Sequence, residues 1–162
     1  MNRENYTLRY DVRDSDVEAV GRIVESTGFF NEEEIGVARE LAEERLAKGE
    51  ESGYEFCFLE LEGETACYAC YGRIPCTKGS YDLYWIATDA RFQGRGLGQI
   101  MMKAVEEDIL KRGGTGIYIE TSSRPQYRPT VGFYEKTGYR LEAHFTDFYD
   151  KDDGKYVFVK KL

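Results

Sequence analysis

Hydrophobic and polar positions along this chain repeat with two periods, and the switches between them set out its elements. Thr7-Leu8-Arg9-Tyr10 is short and β-prone and predicts a first strand. Asp14 or Ser15 is placed to cap a helix in which Val17, Val20, Ile23 and Val24 recur at three- and four-residue spacing, ending near Gly28. Asn31, with Glu34 three residues on, has the pattern of a capping box and predicts a second helix running to about Lys48. Ile35, Ala38, Leu41, Ala42 and Leu46 mark its inward stripe, and its other face is mostly Glu. Residues 54–61 and 65–73 then read as a hairpin turning at Glu62-Gly63-Glu64. A loop over 75–80 follows.

Tyr81-Asp82-Leu83-Tyr84-Trp85-Ile86-Ala87 is aromatic and aliphatic enough to predict a strand covered on both faces. Beyond a glycine-rich stretch, Leu97, Ile100, Met101, Ala104, Val105 and Ile109 mark a helix with one buried stripe. Gly113-Gly114 stops that helix, and Glu107 and Lys111 are spaced to pair on its wet side. Residues 116–121 predict a second buried strand. The prolines at 125 and 129 predict an irregular segment over 122–129. A short helix over 130–136 is closed by Gly138. Two last strands, 139–145 and 155–161, are joined by a polar loop containing Asp152-Asp153-Gly154. The order is β-α-α-β-β-β-α-β-α-β-β, an α+β chain. No repeat, linker or low-complexity segment divides it, so residues 1–162 are expected to form one domain.

The chemistry concentrates in Gln93-Gly94-Arg95-Gly96-Leu97-Gly98, between the central strand and its helix. A helix N-terminus carries unpaired N–H groups and partial positive charge, so it holds an anion if the backbone can come close. Glycine at 94, 96 and 98 removes side chains that would block that approach. Arg91 and Arg95 add two guanidiniums suited to phosphate oxygens. The stretch therefore reads as a pyrophosphate cradle, against the plainer reading of an ordinary glycine-rich turn. A dinucleotide fingerprint would need a third glycine where Gln99 stands, and a P-loop would need a Lys-Ser or Lys-Thr pair that does not follow.

The spacing Gln-x-x-Gly-x-Gly, ending a strand and opening a helix, resembles the acyl-CoA motif of the GNAT (GCN5-related N-acetyltransferase) superfamily. Gly132-Phe133-Tyr134-Glu135-Lys136-Thr137-Gly138-Tyr139 is similar to that family's downstream Tyr-x-x-x-Gly-aromatic segment. The resemblance implies the GNAT fold, a single mixed central β-sheet flanked by helices. It also implies acetyl-CoA as co-substrate and direct transfer of the acetyl group to an amine. By the same resemblance, the pantetheine arm bonds the backbone of the central strand around Ile86, Ala87 and Thr88, whose N–H groups would stabilise the oxyanion. Tyr134 matches the family's tyrosine and is the candidate acid for the leaving thiolate. Asp82, where some relatives carry a catalytic glutamate, and Glu120, a carboxylate ending the second buried strand, are rival candidates for the base. Tyr127 stands where many relatives carry a cofactor-contacting Asn, and it is flanked by Arg124 and Arg128.

Charge and cysteines narrow the partners. A net charge of −8 argues against general affinity for nucleic acid and is compatible with a cationic acceptor. No run of eighteen apolar residues exists, and Met-Asn-Arg-Glu-Asn-Tyr lacks a signal peptide's apolar core, so no membrane partner and a cytoplasmic address are expected. Cys67-Tyr68-Ala69-Cys70 has zinc-like spacing but lies in a strand, where residues three apart face opposite sides. Cys57, Cys67, Cys70 and Cys76 are therefore expected to be buried free thiols, with no metal site. The leading expectation is an N-acetyltransferase for a small-molecule amine, with a homodimer possible. The alternatives are another acyl-CoA or a protein amine as substrate, or a CoA-binding module without catalysis.

Overall fold

The computed structural model describes residues 5–162. Its elements are β1 (Tyr6–Arg9), α1 (Asp16–Ser26), α2 (Glu32–Lys48), β2 (Glu55–Leu61), β3 (Glu64–Arg73), β4 (Ser80–Thr88), α3 (Leu97–Lys111), β5 (Gly116–Ser122), α4 (Arg128–Lys136), β6 (Arg140–Asp150) and β7 (Asp153–Lys161). The seven strands form one mixed sheet in the order β1-β2-β3-β4-β5-β7-β6. The expected α+β order is the observed one. The chain divides into two compact units: residues up to Gly72 with Trp85–Val105, and Arg73–Tyr84 with Glu106–Leu162.

In the first unit, β1, β2 and β3 pair antiparallel. The β2–β3 turn places Glu62 and Gly63 at φ of 55° and 80°, the left-handed pair that a two-residue hairpin needs. Val20, Ile23, Val24, Ala38 and Ala42 of α1 and α2 pack on Phe56, Phe58, Tyr68, Cys70 and Ala87. Phe56, Phe58 and Tyr68 stack with centroids 5.7–6.4 Å apart, which is why three aromatics fit one strand pair. The α2 capping box is formed through Asn31 and Glu34.

The sequence misplaces two features here. No Asp14 or Ser15 side-chain bond caps α1. Asp16 does the tying instead: its carboxylate accepts from the Arg13 N–H and from both terminal nitrogens of Arg9, at 2.7–2.8 Å. Leu46 points to water and is 37 % exposed. The buried stripe Ala38–Ala42 continues on Arg45 instead, whose guanidinium lies 3.6 Å from Glu55.

In the second unit, β4 and β5 pair parallel over Ser80–Asp82 and Gly116–Tyr118, and β7 pairs antiparallel with both β5 and β6. Residues 122–129 are more regular than two prolines suggest. Pro125–Tyr127 is a 3-10 turn and α4 begins at Arg128. Both prolines stand in first turns, where no backbone N–H is required. The last two strands are longer than expected, with Asp153-Gly154 inside β7. β4 is not covered throughout, since Tyr84 is 39 % exposed. On the wet side of α3 an i,i+4 ion pair joins Asp108 and Arg112 at 2.9 Å.

Cys57, Cys67 and Cys70 are buried, but Cys76 is exposed, at a left-handed φ of 67° in the loop before β4. Burial pushes the Cys67 thiol up to about 12, leaving it protonated. Among the described residues no cluster of His, Cys, Asp and Glu could hold a metal ion, and no helix is long and apolar enough to cross a membrane.

Arg9 and Asp16 are 8 % and 2 % exposed, and Arg9 also bonds Glu60 and covers the Phe58 ring at 4.6 Å. Asp16→Ala strands a buried guanidinium. It is expected to lower unfolding free energy by about 3–5 kcal/mol in urea titration.

Candidate active site

In the first unit, the candidate cofactor cradle is built where β4 ends. Asp89 is 1 % exposed. Its N–H donates to the Ala66 carbonyl of β3 at 2.8 Å, and the Ala90 N–H donates to Ser26 Oγ at 3.0 Å. The Asp89 carboxylate accepts from the Arg91 N–H at 2.9 Å and from the Arg91 guanidinium at 3.1–3.2 Å, with Arg22 3.9 Å away. Burial alone would raise this carboxyl, but the Arg91 hydrogen bonds and the two guanidinium charges hold it below its usual range. An ionised Asp89 thus fixes the 3-10 turn Ala90–Phe92 that follows. Sequence reading passed over this residue. An Asp two before an Arg, between a strand and a glycine turn, was its only signal.

Gln93 then donates to the Thr88 carbonyl at 3.3 Å, folding the chain back toward the strand end. Gly94 and Gly96 take φ of 80° and 76°, a region that strains other residues. A Cβ built on either would meet no atom within 4 Å, so the space over the turn is open. The Ile100 N–H makes the early helical bond to the Gly96 carbonyl, leaving the N–H groups of Leu97, Gly98 and Gln99 before it at the positive end of α3. Gly98 lies inside the helix. The open turn and these N–H groups fit a pyrophosphate.

The arginines are less free than their spacing suggests. Arg91 is held by Asp89 and by Glu64 at 3.3 Å, and Arg95 lies 3.9 Å from Glu62. Both guanidiniums stack over the Phe92 ring, at 5.2 and 5.3 Å, which orders them beside the turn. Of the strand residues before it, Ala87 is buried and Ile86 and Thr88 half-buried, with the Thr88 hydroxyl donating to Cys67 Sγ at 3.4 Å.

The second unit carries the acid–base candidates. Asp82 is half-buried beside Tyr118 in the parallel pair, and the Tyr84 hydroxyl hydrogen-bonds to it. Desolvation and the Glu120 charge together raise its carboxyl above the usual range, despite the Tyr84 bond. Glu120 is exposed and not alone, since Lys155 reaches it at 3.3 Å. Tyr118 is drawn the other way. The Lys161 ammonium at 2.9 Å, with Ser80, lowers its phenol.

Tyr134 of α4 is 6 % exposed and packs on Phe133, Tyr139 and Phe158 with centroids 5.6–6.1 Å away. Burial raises its phenol, so the hydroxyl stays a proton donor at neutral pH. Tyr127 is 7 % exposed, with Arg124 over its ring at 5.6 Å. Arg124 in turn pairs with Asp153 at 3.3 Å.

A glycine turn opening a helix beside the end of a mixed-sheet strand is the arrangement expected of the acyl-CoA-dependent transferases. Comparison with known proteins makes the class specific. The Acetyltransferase (GNAT) family profile matches residues 20–139. A Desulfovibrio desulfuricans protein whose crystal structure is assigned to the GNAT acetyltransferases is 41 % identical, with 97 % of this chain and 99 % of that one covered at a TM-score of 0.95. The chain belongs to the GNAT acetyltransferase family and is an N-acetyltransferase by fold and family.

More distant structures share the fold. The Escherichia coli ribosomal-protein-S18-alanine N-acetyltransferase is 18 % identical, with coverage of 98 % and 94 % and a TM-score of 0.76. The PaiA N-acetyltransferase of Thermoplasma acidophilum, solved in complex with coenzyme A, is 16 % identical, with coverage of 98 % and 99 % and a TM-score of 0.73. No curated protein matches the chain by sequence.

Two measurements test the two halves of this description. Gly96→Glu forces a side chain into left-handed backbone and places a negative charge over the cradle. The folded variant is expected to lose acetyl-CoA binding in calorimetry, and unchanged affinity would remove the cradle assignment. For Asp82, a folded-state pKa above the unfolded one favours folding at pH values below the unfolded pKa. That contribution is lost as pH rises through the folded pKa. Asp82→Asn should therefore gain stability relative to the parent as pH rises from acid to neutral, followed by urea midpoints across that range.

Proposed function

We propose that the whole chain acts as one catalytic domain that transfers acetyl from acetyl-CoA to the amine of a small-molecule acceptor. One observation carries the cofactor side of this reading: the open turn at Gly94 and Gly96 leads directly into the N-terminus of α3. There the backbone N–H groups of Leu97, Gly98 and Gln99 take the pyrophosphate oxygens, and Gln93, Arg91 and Arg95 shape the rim. Ile86, Ala87 and Thr88 offer the strand end for the pantetheine amides, and Tyr127 supplies an aromatic contact in place of the family's Asn. When bound, acetyl-CoA supplies the activated thioester.

The remaining chemistry falls to side chains. An attacking amine must lose a proton and a departing thiolate must gain one. Tyr134 gives the proton: burial keeps its phenol protonated at neutral pH, the proton passes to the departing thiolate, and the phenolate regains one from solvent before the next turnover. Asp82 takes the other, through water or from the acceptor's ammonium. Desolvation and the Glu120 charge raise its affinity for a proton toward what a general base needs. Glu120, paired with Lys155, holds the acceptor's charge rather than its proton. The two carboxylates and the net charge of −8 favour a cationic acceptor. A cytoplasmic address and a homodimer are compatible with this reading.

The test begins with thiol release from acetyl-CoA across amines, amino acids, aminoglycosides and peptides. Turnover only with peptides would move the acceptor to a protein amine, and release only from longer acyl-CoAs would replace the acetyl group. With a working acceptor, Tyr134→Phe keeps the ring packing and removes only the proton donor. Turnover is expected to fall about 10²- to 10⁴-fold with acetyl-CoA affinity unchanged. Equal rates would leave Tyr134 a packing residue.

A further inference from the structure

Among the charged clusters of the second unit that the proposed chemistry leaves unused, one converges on Tyr134. Glu106, on α3, accepts two hydrogen bonds at the same oxygen: from the Tyr139 hydroxyl at 3.1 Å and from Lys160 Nζ at 2.9 Å. It is 15 % exposed and Lys160 29 %, so this pair is partly buried. Taking such a pair partly out of water carries a desolvation cost that its own attraction has to offset.

Each of its two partners leads to Tyr134 by a separate route. Tyr139 packs its ring edge-on against the Tyr134 ring at 6.1 Å, and its N–H donates to the Tyr134 carbonyl at 2.9 Å. Lys160 donates to the Thr137 carbonyl at 3.1 Å, and the Thr137 hydroxyl in turn donates to the carbonyls of Phe133 and Tyr134 at 2.9 and 3.1 Å. One arm fixes the ring and the other fixes the last turn of α4 that carries it. Tyr134 itself sits among rings, Phe133, Tyr139 and Phe158, which set its depth but have no directional hold on its hydroxyl.

We propose that Glu106 is a positioning residue for Tyr134, acting through Tyr139 and Lys160 to hold the phenol in one direction. This rests on Tyr134 being the acid, but its structural half can be tested without that assumption. Losing the Glu106 carboxylate would remove the Tyr139 hydroxyl's bond to it and leave the Lys160 ammonium without its ion partner. Both arms would loosen together. Glu106→Gln keeps an acceptor for Tyr139 while breaking the ion pair, so it should retain part of the effect.

The first measurement uses the free protein labelled with ζ-¹³C tyrosine, in which the Tyr134 line is assigned by its absence in Tyr134→Phe. Glu106→Ala is expected to shift and broaden the Tyr134 line, with Glu106→Gln intermediate. A Tyr134 line unchanged in position and width in Glu106→Ala would overturn the proposal. The second measurement is a double-mutant cycle on turnover of acetyl-CoA with the best acceptor from the screen. Glu106→Ala should lower kcat about 10- to 100-fold, the scale of a misplaced group, with KM for acetyl-CoA within about twofold of the parent. In the Tyr134→Phe background the same substitution should have almost no further effect. An equal loss in both backgrounds would make Glu106 purely structural and overturn the proposal. If Tyr134→Phe alone leaves the rate unchanged, the acid assignment fails instead, while the ¹³C line still reports whether Glu106 orders the ring.

Discussion

The buried Asp89 carboxylate is the constraint on which the cofactor side of the molecule depends. A carboxylate so thoroughly removed from water is tolerated only because Arg91 supplies three hydrogen bonds and Arg22 a further charge. Those bonds decide where β4 stops, how the chain reverses over Ala90–Phe92, and in what frame the two left-handed glycines follow. The same carboxylate anchors Arg91 away from a purely mobile surface role, so the rim of the cradle is built before any anion arrives. Preorganised groups lose little on binding, and here the ordering cost is met in folding. Ser26 at the end of α1 and Ala66 in β3 lock the same turn from two other elements. A short-range glycine motif is therefore held in shape by residues scattered over more than sixty positions of sequence.

How much of this was legible in the sequence follows from how far each determinant reaches. The hairpin at Glu62-Gly63, the α2 capping box and the stripe of α3 are set by neighbours within a few residues, and periodicity exposed them. The glycine turn was legible for the same reason, since its conformation is a local property. Leu46 was misassigned because apolar character suggested a buried place where a paired Arg45 filled the stripe. The prolines at 125 and 129 misled in a related way: their effect depends on whether they fall in a first turn or an interior one, which spacing alone does not fix. Cys76 looked like its three buried counterparts until the backbone placed it in a loop.

The ionisable groups were the hardest to read. The family resemblance singles out Asp82, yet its chemistry comes from burial and from Glu120 on another strand. Nothing near Glu120 in the sequence announces its partner, because Lys155 is thirty-five residues away. Glu106 looked like any glutamate on a helix, and only the arrival of Tyr139 and Lys160 distinguishes it. Sequence spacing finds groups that share an element. Charge balance between elements is settled by the fold.

β6 has a consequence of a different kind. All of its residues but Ala143 are exposed, including Leu141, Phe145, Phe148 and Tyr149, and it lies at the end of the sheet with neither Lys nor Pro to guard it. A flat edge of that length and composition would template strand-on-strand growth. It is not flat. The register with β7 slips at Leu141/Ala143 and again between Phe145 and Asp150, and Asp147 turns left-handed at a φ of 51°. Its side chain locks that kink by accepting from the Asp152 N–H at 2.8 Å. The irregularity interrupts the row of outward N–H and C=O groups before an incoming chain could zip along it. Substitutions that straighten this strand would gain local regularity and restore the continuous edge that the kink interrupts.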